Sequence, residues 1–221
     1  MSASRAGVFI TFEGGEGSGK TTQIARLAAG LEARFAGRVV MTREPGGTGG
    51  AEQIRDLLVN GAASRWQPAT EALMMSAARH EHVTHVIRPA LARGHIVLCD
   101  RFIDSTHVYQ GFVGGVDSAL LTSLDQLSCG GVMPHLTFFL DIDSDLGLAR
   151  VAARGVGENR FETKGAVFHE QVRQGFIHRA TQDPDRIVTI DASRSEDVVA
   201  ADIGSALELL LRSRGMDNRH G

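Results

Sequence analysis

The chain has 221 residues, a net charge of −3, 43% apolar and 22% charged residues, the profile of an ordinary soluble globular protein long enough to bury one core without disulfides or a structural metal. No apolar run approaches the roughly 20 residues of a membrane span, no secretory leader opens the chain, and no cluster of like charge suits a nonspecific nucleic-acid binder. Two cysteines, Cys99 and Cys129, without C-x-x-C or zinc spacing, point to small core residues in a reducing, cytoplasmic setting.

In chain order, the first expected strand is Val8 to Phe12, and Gly14-Gly15-Glu16-Gly17-Ser18-Gly19-Lys20-Thr21 follows it directly. This satisfies G-x-x-x-x-G-K-[ST] between a strand and a helix, here Lys20 to Phe35. Glycines let successive N–H groups wrap an anion, the helix start adds its dipole, the lysine reaches the β- and γ-phosphates, and the threonine ligates Mg²⁺. Lysine occurs only at Lys20 and Lys164, against 21 arginines, which makes its place in the loop more telling. Gly14, Gly15, Glu16, Gly17, Ser18, Gly19, Lys20, Thr21 and Thr22 form the expected ATP-facing set. No N-K-x-D element accompanies it, which argues against a switch GTPase.

A second strand, Arg38 to Thr42, runs into Thr42-Arg43-Glu44-Pro45-Gly46-Gly47-Thr48 and a helix over Ala51 to Val59. A long helix is expected over Thr70 to Arg93, carrying His80-Glu-His-Val-Thr-His85, which lacks H-x-x-x-H spacing and reads as a solvated or interface face rather than a zinc site. The third strand, His95 to Cys99, ends at Asp100, placed to hold a water of a Mg²⁺ shell or to cap the next helix. The helix Ser118 to Ser128 leads to Leu127-Ser-Cys-Gly-Gly131, which is similar to an ABC-transporter signature but reads better as a glycine-closed helix end. Strand Leu136 to Leu140, helices Ser144 to Arg154 and Ala166 to Thr181, strand Arg186 to Ile190 and helix Ser195 to Arg212 complete the pattern, with a frayed tail from 215 to 221.

Five apolar runs without clean alternation, separated by helices, predict a parallel sheet covered on both faces. Arginines gather near three strand ends, at Arg43, at Arg101 and over Arg150, Arg154 and Arg160. Guanidinium groups match phosphate oxygens, so these clusters suggest a second phosphate-bearing substrate beside the triphosphate.

The segments Phe12 to Thr22, Thr42 to Thr48, Ala77-Ala-Arg79, Asp100-Arg-Phe102, Ser105-Thr-His-Val-Tyr-Gln-Gly111 and Asn159-Arg-Phe-Glu162 together resemble the bacterial thymidylate kinase family of P-loop nucleoside monophosphate kinases, over nearly the whole chain. The resemblance implies a three-layer α/β/α sandwich with a five-stranded parallel sheet in the order 2-3-1-4-5, one kinase domain over 1–214 and a short lid at about 150–164. It implies Mg²⁺-dependent transfer of the ATP γ-phosphate to dTMP, giving dTDP and ADP for dTTP synthesis, by a cytoplasmic homodimer.

In such an enzyme Arg43 and Arg101 would grip the dTMP phosphate, Glu16 would meet the sugar 3′-hydroxyl, and Arg79 would meet the thymine O4 or form a structural ion pair with Glu71 or another neighbour. Pro45, Met75, Ser105, Thr106, Tyr109 and Gln110 would line the base and deoxyribose, with Tyr109 excluding a 2′-hydroxyl. Lys20 and Arg160 would meet transition-state charge, Arg154 would support ATP, and Thr21 and Asp100 would serve Mg²⁺. Met75 replaces a common phenylalanine and Phe102 a tyrosine or histidine. A kinase of dUMP or a modified pyrimidine, and an ATP-binding mechanical or regulatory module, stay open as alternatives.

Overall fold

The computed structural model describes residues 7–62, 64–154 and 164–216, with Arg154 described by its backbone alone. Its centre is a five-stranded parallel sheet in the order β2-β3-β1-β4-β5, as expected. The strands are β1 (Val8–Glu13), β2 (Val39–Arg43), β3 (Ile96–Asp100), β4 (Leu136–Asp141) and β5 (Ile187–Asp191). Each runs one residue beyond its expected end, because the ladder continues through a final charged residue that the apolar pattern leaves out. Those five residues, Glu13, Arg43, Asp100, Asp141 and Asp191, stand along the carboxyl edge, where open parallel sheets bind ligands.

Alternation along β1 sorts the core. Val8, Ile10 and Phe12 pack with α1 (Lys20–Arg34) and α9 (Glu196–Ser213) on one face. Phe9 points to the other face, against the long helical run that begins with α3 (Pro68–His82). That face is completed by Phe139, which stacks on Phe176 of α8 (Ala166–Gln182) at 5.4 Å between ring centroids. Burying such a side chain is worth about 2 kcal/mol, so the three layers hold without any staple. Cys99 and Cys129 are free and buried.

The helix expected over Thr70 to Arg93 is continuous but not uniform. It widens to π geometry at Val83–Ile87 before closing as α4 (Arg88–Ala92). Pro89 explains part of this, since it has no N–H to give an α-turn. A helical stretch that the apolar period does not announce follows β3: α5 (Ile103–Thr106) continues into a π turn over His107–Val113. The remaining helices are α2 (Gly49–Val59), capped by the Thr48 hydroxyl, α6 (Ser118–Cys129) and α7 (Ser144–Arg154). Gly130 closes α6 in a left-handed conformation, the plain reading of the Leu127 to Gly131 segment.

The tail is better ordered at its start than expected. Gly215 turns at φ 63°, the Met216 N–H bonds the Leu211 carbonyl, and the Met216 side chain buries in the core beside α9. Residues 217–221 lie outside the described part. No helix among the described residues is long and apolar enough to cross a membrane.

Candidate active site

The loop after β1 is a concave cradle of backbone. Gly14, Gly17 and Gly19 all take positive φ, and α1 begins at Lys20 with no side chain capping its free N–H groups. Orphan amides at a helix start in a nest of this kind form a ready anion site. The Lys20 Nζ donates to the Gly14 and Gly15 carbonyls at 3.0 and 2.9 Å, and the Ser18 hydroxyl donates to the Gly15 carbonyl at 2.9 Å. Burial, then the Arg101 charge, lowers the Lys20 pKa, while Asp100 and Glu16 oppose the shift. Gly17 is obligatory for a second reason: a Cβ there would stand 2.0 Å from the Gly147 carbonyl, so α7 rests directly on the loop backbone.

Beside the loop, at the ends of β1, β2 and β3, opens a cleft of about 130 Å³. It brings together Glu16, Arg43, Pro45, Met75, Arg79, Asp100, Arg101, Ser105, Thr106, Tyr109 and Gln110, every residue expected at the acceptor and several that were not. The register explains the convergence. Arg43 lies opposite Asp100 and Asp100 opposite Phe12, so three strand ends are level at the floor of the cleft.

Each guanidinium in the cleft is held differently. Arg101 sits at φ 66°, the only non-glycine residue with positive φ among those described. Its NH1 donates to the Ser105 hydroxyl and its NH2 to Glu16, both at 3.1 Å, while the group lies over the Tyr109 ring. Arg43 is more open and pairs with Glu52 of α2 at 2.9 Å. Arg79 is buried, its Nε donating to Glu44 at 2.8 Å and its NH2 to the Thr106 hydroxyl at 2.9 Å. Its NH1 is buried without a hydrogen-bond partner, and Asp125 stands 3.6 Å away. Of the two readings of Arg79 the ion pair is observed, to Glu44 and not Glu71, and the side chain also lines the cleft. Glu71 instead accepts from Gln110 at 2.8 Å.

The charges bias one another. Burial raises the Glu16 pKa, yet Arg101 and Lys20 outweigh it and the net direction is down, so Glu16 stays ionised. Burial lifts the Tyr109 hydroxyl to about 12, so it remains neutral. Glu13, just before the loop, is fully buried; burial and the nearby Asp104 charge push it up to about 7 against the pull of Arg101 and its own hydrogen bonds.

A second cleft, of about 430 Å³, lies on the other side of the loop between Gly17, Ser18, Gly19 and Thr22, α7, and the segment after β5. Arg150 lines it while donating to the Ala192 and Ser193 carbonyls at 2.9 and 3.3 Å. Of the expected lid, residues 150–154 form the end of α7, while the Arg154 side chain and residues 155–163, Arg160 among them, lie outside the described residues.

A profile of the family described as thymidylate kinase matches residues 12–203. The chain belongs to the thymidylate kinase family. It is 54% identical over 202 residues to the thymidylate kinase of Caulobacter vibrioides and 51% identical over 202 residues to that of Magnetococcus marinus, in both cases across 91% of this chain and 96% of the relative. It also superposes on the crystal structure of thymidylate kinase from Ehrlichia chaffeensis with a TM-score of 0.76 and 36% identity, covering 91% of this chain and 99% of that one. The P-loop fold is thus the fold of the family, and the chain is a kinase.

For a thymidylate kinase, the residues that pattern reading overlooked are instructive. Arg55 lines the first, arginine-rich cleft from α2 and donates to the Pro45 carbonyl at 2.8 Å. Its signal was available, since Ala51, Arg55 and Leu58 fall on one helical stripe whose other two members are buried. Glu44 was visible in the Thr42 to Thr48 segment, but nothing local told which arginine it holds. His82, expected on a solvated or interface face, is fully buried and bridges Glu44 at 3.0 Å and the Thr42 hydroxyl at 2.6 Å. His80 and His85 are exposed, and no cluster of metal-ligating side chains occurs among the described residues. Asp100 does not cap α5, whose N-cap is Phe102; its buried Oδ1 has no hydrogen-bond partner.

Proposed function

We propose that this enzyme moves the γ-phosphate of ATP to the 5′-phosphate of dTMP, giving dTDP and ADP, with the donor on the glycine loop and the acceptor in the arginine-lined cleft. The observation that carries the assignment is the juxtaposition of Lys20 in the anion cradle with Arg101 and Arg43 at adjoining strand ends. Phosphoryl transfer demands in-line positioning and charge neutralisation more than covalent help. Arg101 and Arg43 hold the acceptor phosphate, with Arg43 exchanging Glu52 for it. Lys20 leaves its loop carbonyls for the β- and γ-phosphates, and Gly14 to Gly19 with Thr22 cradle them.

Glu16, already on Arg101, meets the deoxyribose, while Pro45, Met75, Arg79, Ser105, Thr106, Tyr109 and Gln110 surround nucleoside and base. Arg79 has a buried N–H group without a hydrogen-bond partner to give a carbonyl, and Tyr109, packed against Phe168 and Phe176, is assigned to excluding a 2′-hydroxyl. The second cleft suits the nucleoside of ATP, with Arg154 close by in sequence. Arg160 is assigned to transition-state charge on the family resemblance alone.

Mg²⁺ fits the donor set. Thr21 offers a hydroxyl at the exposed start of α1, and the orphaned Asp100 Oδ1 offers a carboxylate oxygen suited to a bound water. A hydroxyl, one carboxylate and phosphate oxygens are the partners Mg²⁺ prefers, and the ion would neutralise charge on the transferring group. A cytoplasmic homodimer completes the reading. Leu73 on α3 with Leu120 and Leu127 on α6 leaves exposed apolar surface on two adjoining helices.

The test is ADP formation from ATP and Mg²⁺ with dTMP, dUMP, dCMP, UMP, dAMP and dGMP supplied singly. Preference for dTMP, lost in Lys20→Ala and Arg101→Ala, is the expected result. Equal turnover of dUMP moves the assignment to a broader pyrimidine monophosphate kinase, and ATP turnover indifferent to every monophosphate overturns it.

A further inference from the structure

We infer that Glu13 is a positioning residue for the acceptor phosphate, a buried carboxylate that holds Arg101 in its left-handed turn and so indexes it to the glycine loop. This rests on the reading of Arg101 as the phosphate grip. The argument begins with a place where a carboxylate is costly. Glu13 ends the central strand, is fully buried, and lies one residue from a loop built to attract anions. A buried carboxylate persists only where its lone pairs are satisfied.

Three donors satisfy it, all from the turn that carries Arg101. The Phe102 N–H donates to Oε1 at 2.8 Å, the Ser105 N–H to the same oxygen at 3.3 Å, and the Ser105 hydroxyl to Oε2 at 2.6 Å. The serine is a relay. With its proton committed to Glu13, its oxygen lone pairs face Arg101, whose NH1 donates to them at 3.1 Å. The Arg101 N–H itself bonds the Phe12 carbonyl at 2.9 Å, one residue before Glu13. The turn is therefore fastened to the end of β1 by backbone on one side and by the Glu13 carboxylate on the other.

Such fastening has a purpose at φ 66°, which an arginine does not adopt without outside support. It also fixes distance. Glu13 precedes Gly14, whose carbonyl receives the Lys20 ammonium, so one strand end sets both the lysine of the donor side and the arginine of the acceptor side. From the opposite direction, Asp104 in the same turn is locked by Arg179 and Arg186, each at 2.7 Å. The charged or titratable groups facing Glu13 are Arg101, Asp104 and Tyr109 from the turn and its helix, Lys20 from α1 and Cys99 from β3.

The experiment compares dTMP with thymidine, which lacks the phosphate. Binding of each is measured on the full-length wild type, Arg101→Ala, Glu13→Gln and Ser105→Ala, with KM for dTMP and for ATP read separately. Arg101→Ala is expected to erase most of the preference for dTMP over thymidine. Glu13→Gln should weaken dTMP about tenfold, the scale of one charge-assisted hydrogen bond, with thymidine binding and the KM for ATP within about twofold of wild type. Ser105→Ala should shift the same ratio by a smaller factor, and it serves as the test if Glu13→Gln does not fold. Glu13→Asp, which keeps the charge, should recover part of the loss.

An unchanged dTMP affinity in Glu13→Gln beside a large loss in Arg101→Ala overturns the inference while leaving the Arg101 reading intact. Equal weakening of dTMP and thymidine overturns it in favour of general support of the fold. A preference for dTMP that survives in Arg101→Ala removes the reading of Arg101 and the inference with it.

Discussion

The two sides of the proposed reaction centre, the acceptor cleft and the donor loop, are built by different means. On the acceptor side Arg79 and Arg101 are held by side chains that are themselves held: Arg79 by Glu44, which His82 braces against Thr42, and Arg101 by Ser105, which Glu13 braces. The donor side is mostly backbone, with glycines at positive φ, carbonyls that park the Lys20 ammonium, and α7 resting on the loop glycine to glycine. A triphosphate is the same for every nucleotide and can be met by amides. A particular monophosphate must be selected, and selection needs side chains fixed to within a fraction of an ångström.

The contrast breaks most forcefully at Glu44. Removing it by Glu44→Ala leaves the buried Arg79 guanidinium and the His82 ring without their shared partner. Breaking one member of a buried ion pair costs about 3–5 kcal/mol, much of it the stranded charge. Urea unfolding should show a loss of that size with an unchanged m-value, and dTMP affinity should fall with it. A loss under about 1 kcal/mol would mean that water replaces the carboxylate and that the acceptor side is less rigid than its hydrogen bonds suggest.

Glu13 sharpens the contrast through pH. Its folded pKa of about 7 lies above the ordinary 4.5, so the folded protein binds the proton more tightly than the unfolded chain. The stability linked to that proton is fully present below pH 4.5 and is lost as pH rises through 7. Glu13→Gln mimics the neutral form. It should therefore unfold later than wild type at pH 8, by about 2 kcal/mol, with the gap closing as pH falls toward 5. More stability with weaker dTMP binding is the signature of a group kept for function. A variant less stable at pH 8 would contradict it.

On the donor side the corresponding device is Gly147, where a Cβ would meet the Glu16 carbonyl at 2.4 Å. Gly147→Ala should push α7 off the loop and raise the KM for ATP about fivefold to twentyfold, a cost of about 1–2 kcal/mol, with dTMP binding in the absence of ATP nearly unchanged. If dTMP binding suffers equally, the two sides are coupled through the loop and cannot be treated as separate constructions.

The same contrast decides what could be read in the sequence. Strand order, the helices on both faces and the cradle were legible, because they follow from local apolar pattern and from a motif whose spacing is its chemistry. That Arg43, Arg79, Arg101 and Tyr109 share a site was expected from resemblance, and they do line one cleft, but their bracing was not legible. The pairs Glu44 with Arg79 and Glu13 with Ser105 join positions 35 and 92 residues apart, and only the packed sheet brings them together. His82 looked like one of several surface histidines because its partners, Thr42 on β2 and Glu44 just past it, are distant in sequence. The run from Ile103 to Val113 was missed because Gly111 and the polar residues before it obscure a helical period, and tertiary packing against α8 supplies what propensity does not.

The smallest effect is expected at Met75, where the family resemblance implies a ring and the proposed acceptor cleft carries a thioether. Met75 lines the acceptor cleft from α3, one helical turn before Arg79. A thioether can pack on a pyrimidine face, yet it has three rotatable bonds and gains less from being ordered than a ring does. Met75→Phe should tighten dTMP by less than about 1 kcal/mol, a factor of two to five in KM, and should raise its preference over dUMP by no more than that, since a single methyl group on the base sets the ceiling. Stacking acts equally on both pyrimidines, so most of the gain should be common to them. A change in preference beyond about tenfold would show that position 75 reads the thymine methyl itself, and that selection on the acceptor side rests on shape at this helix as well as on the braced arginines.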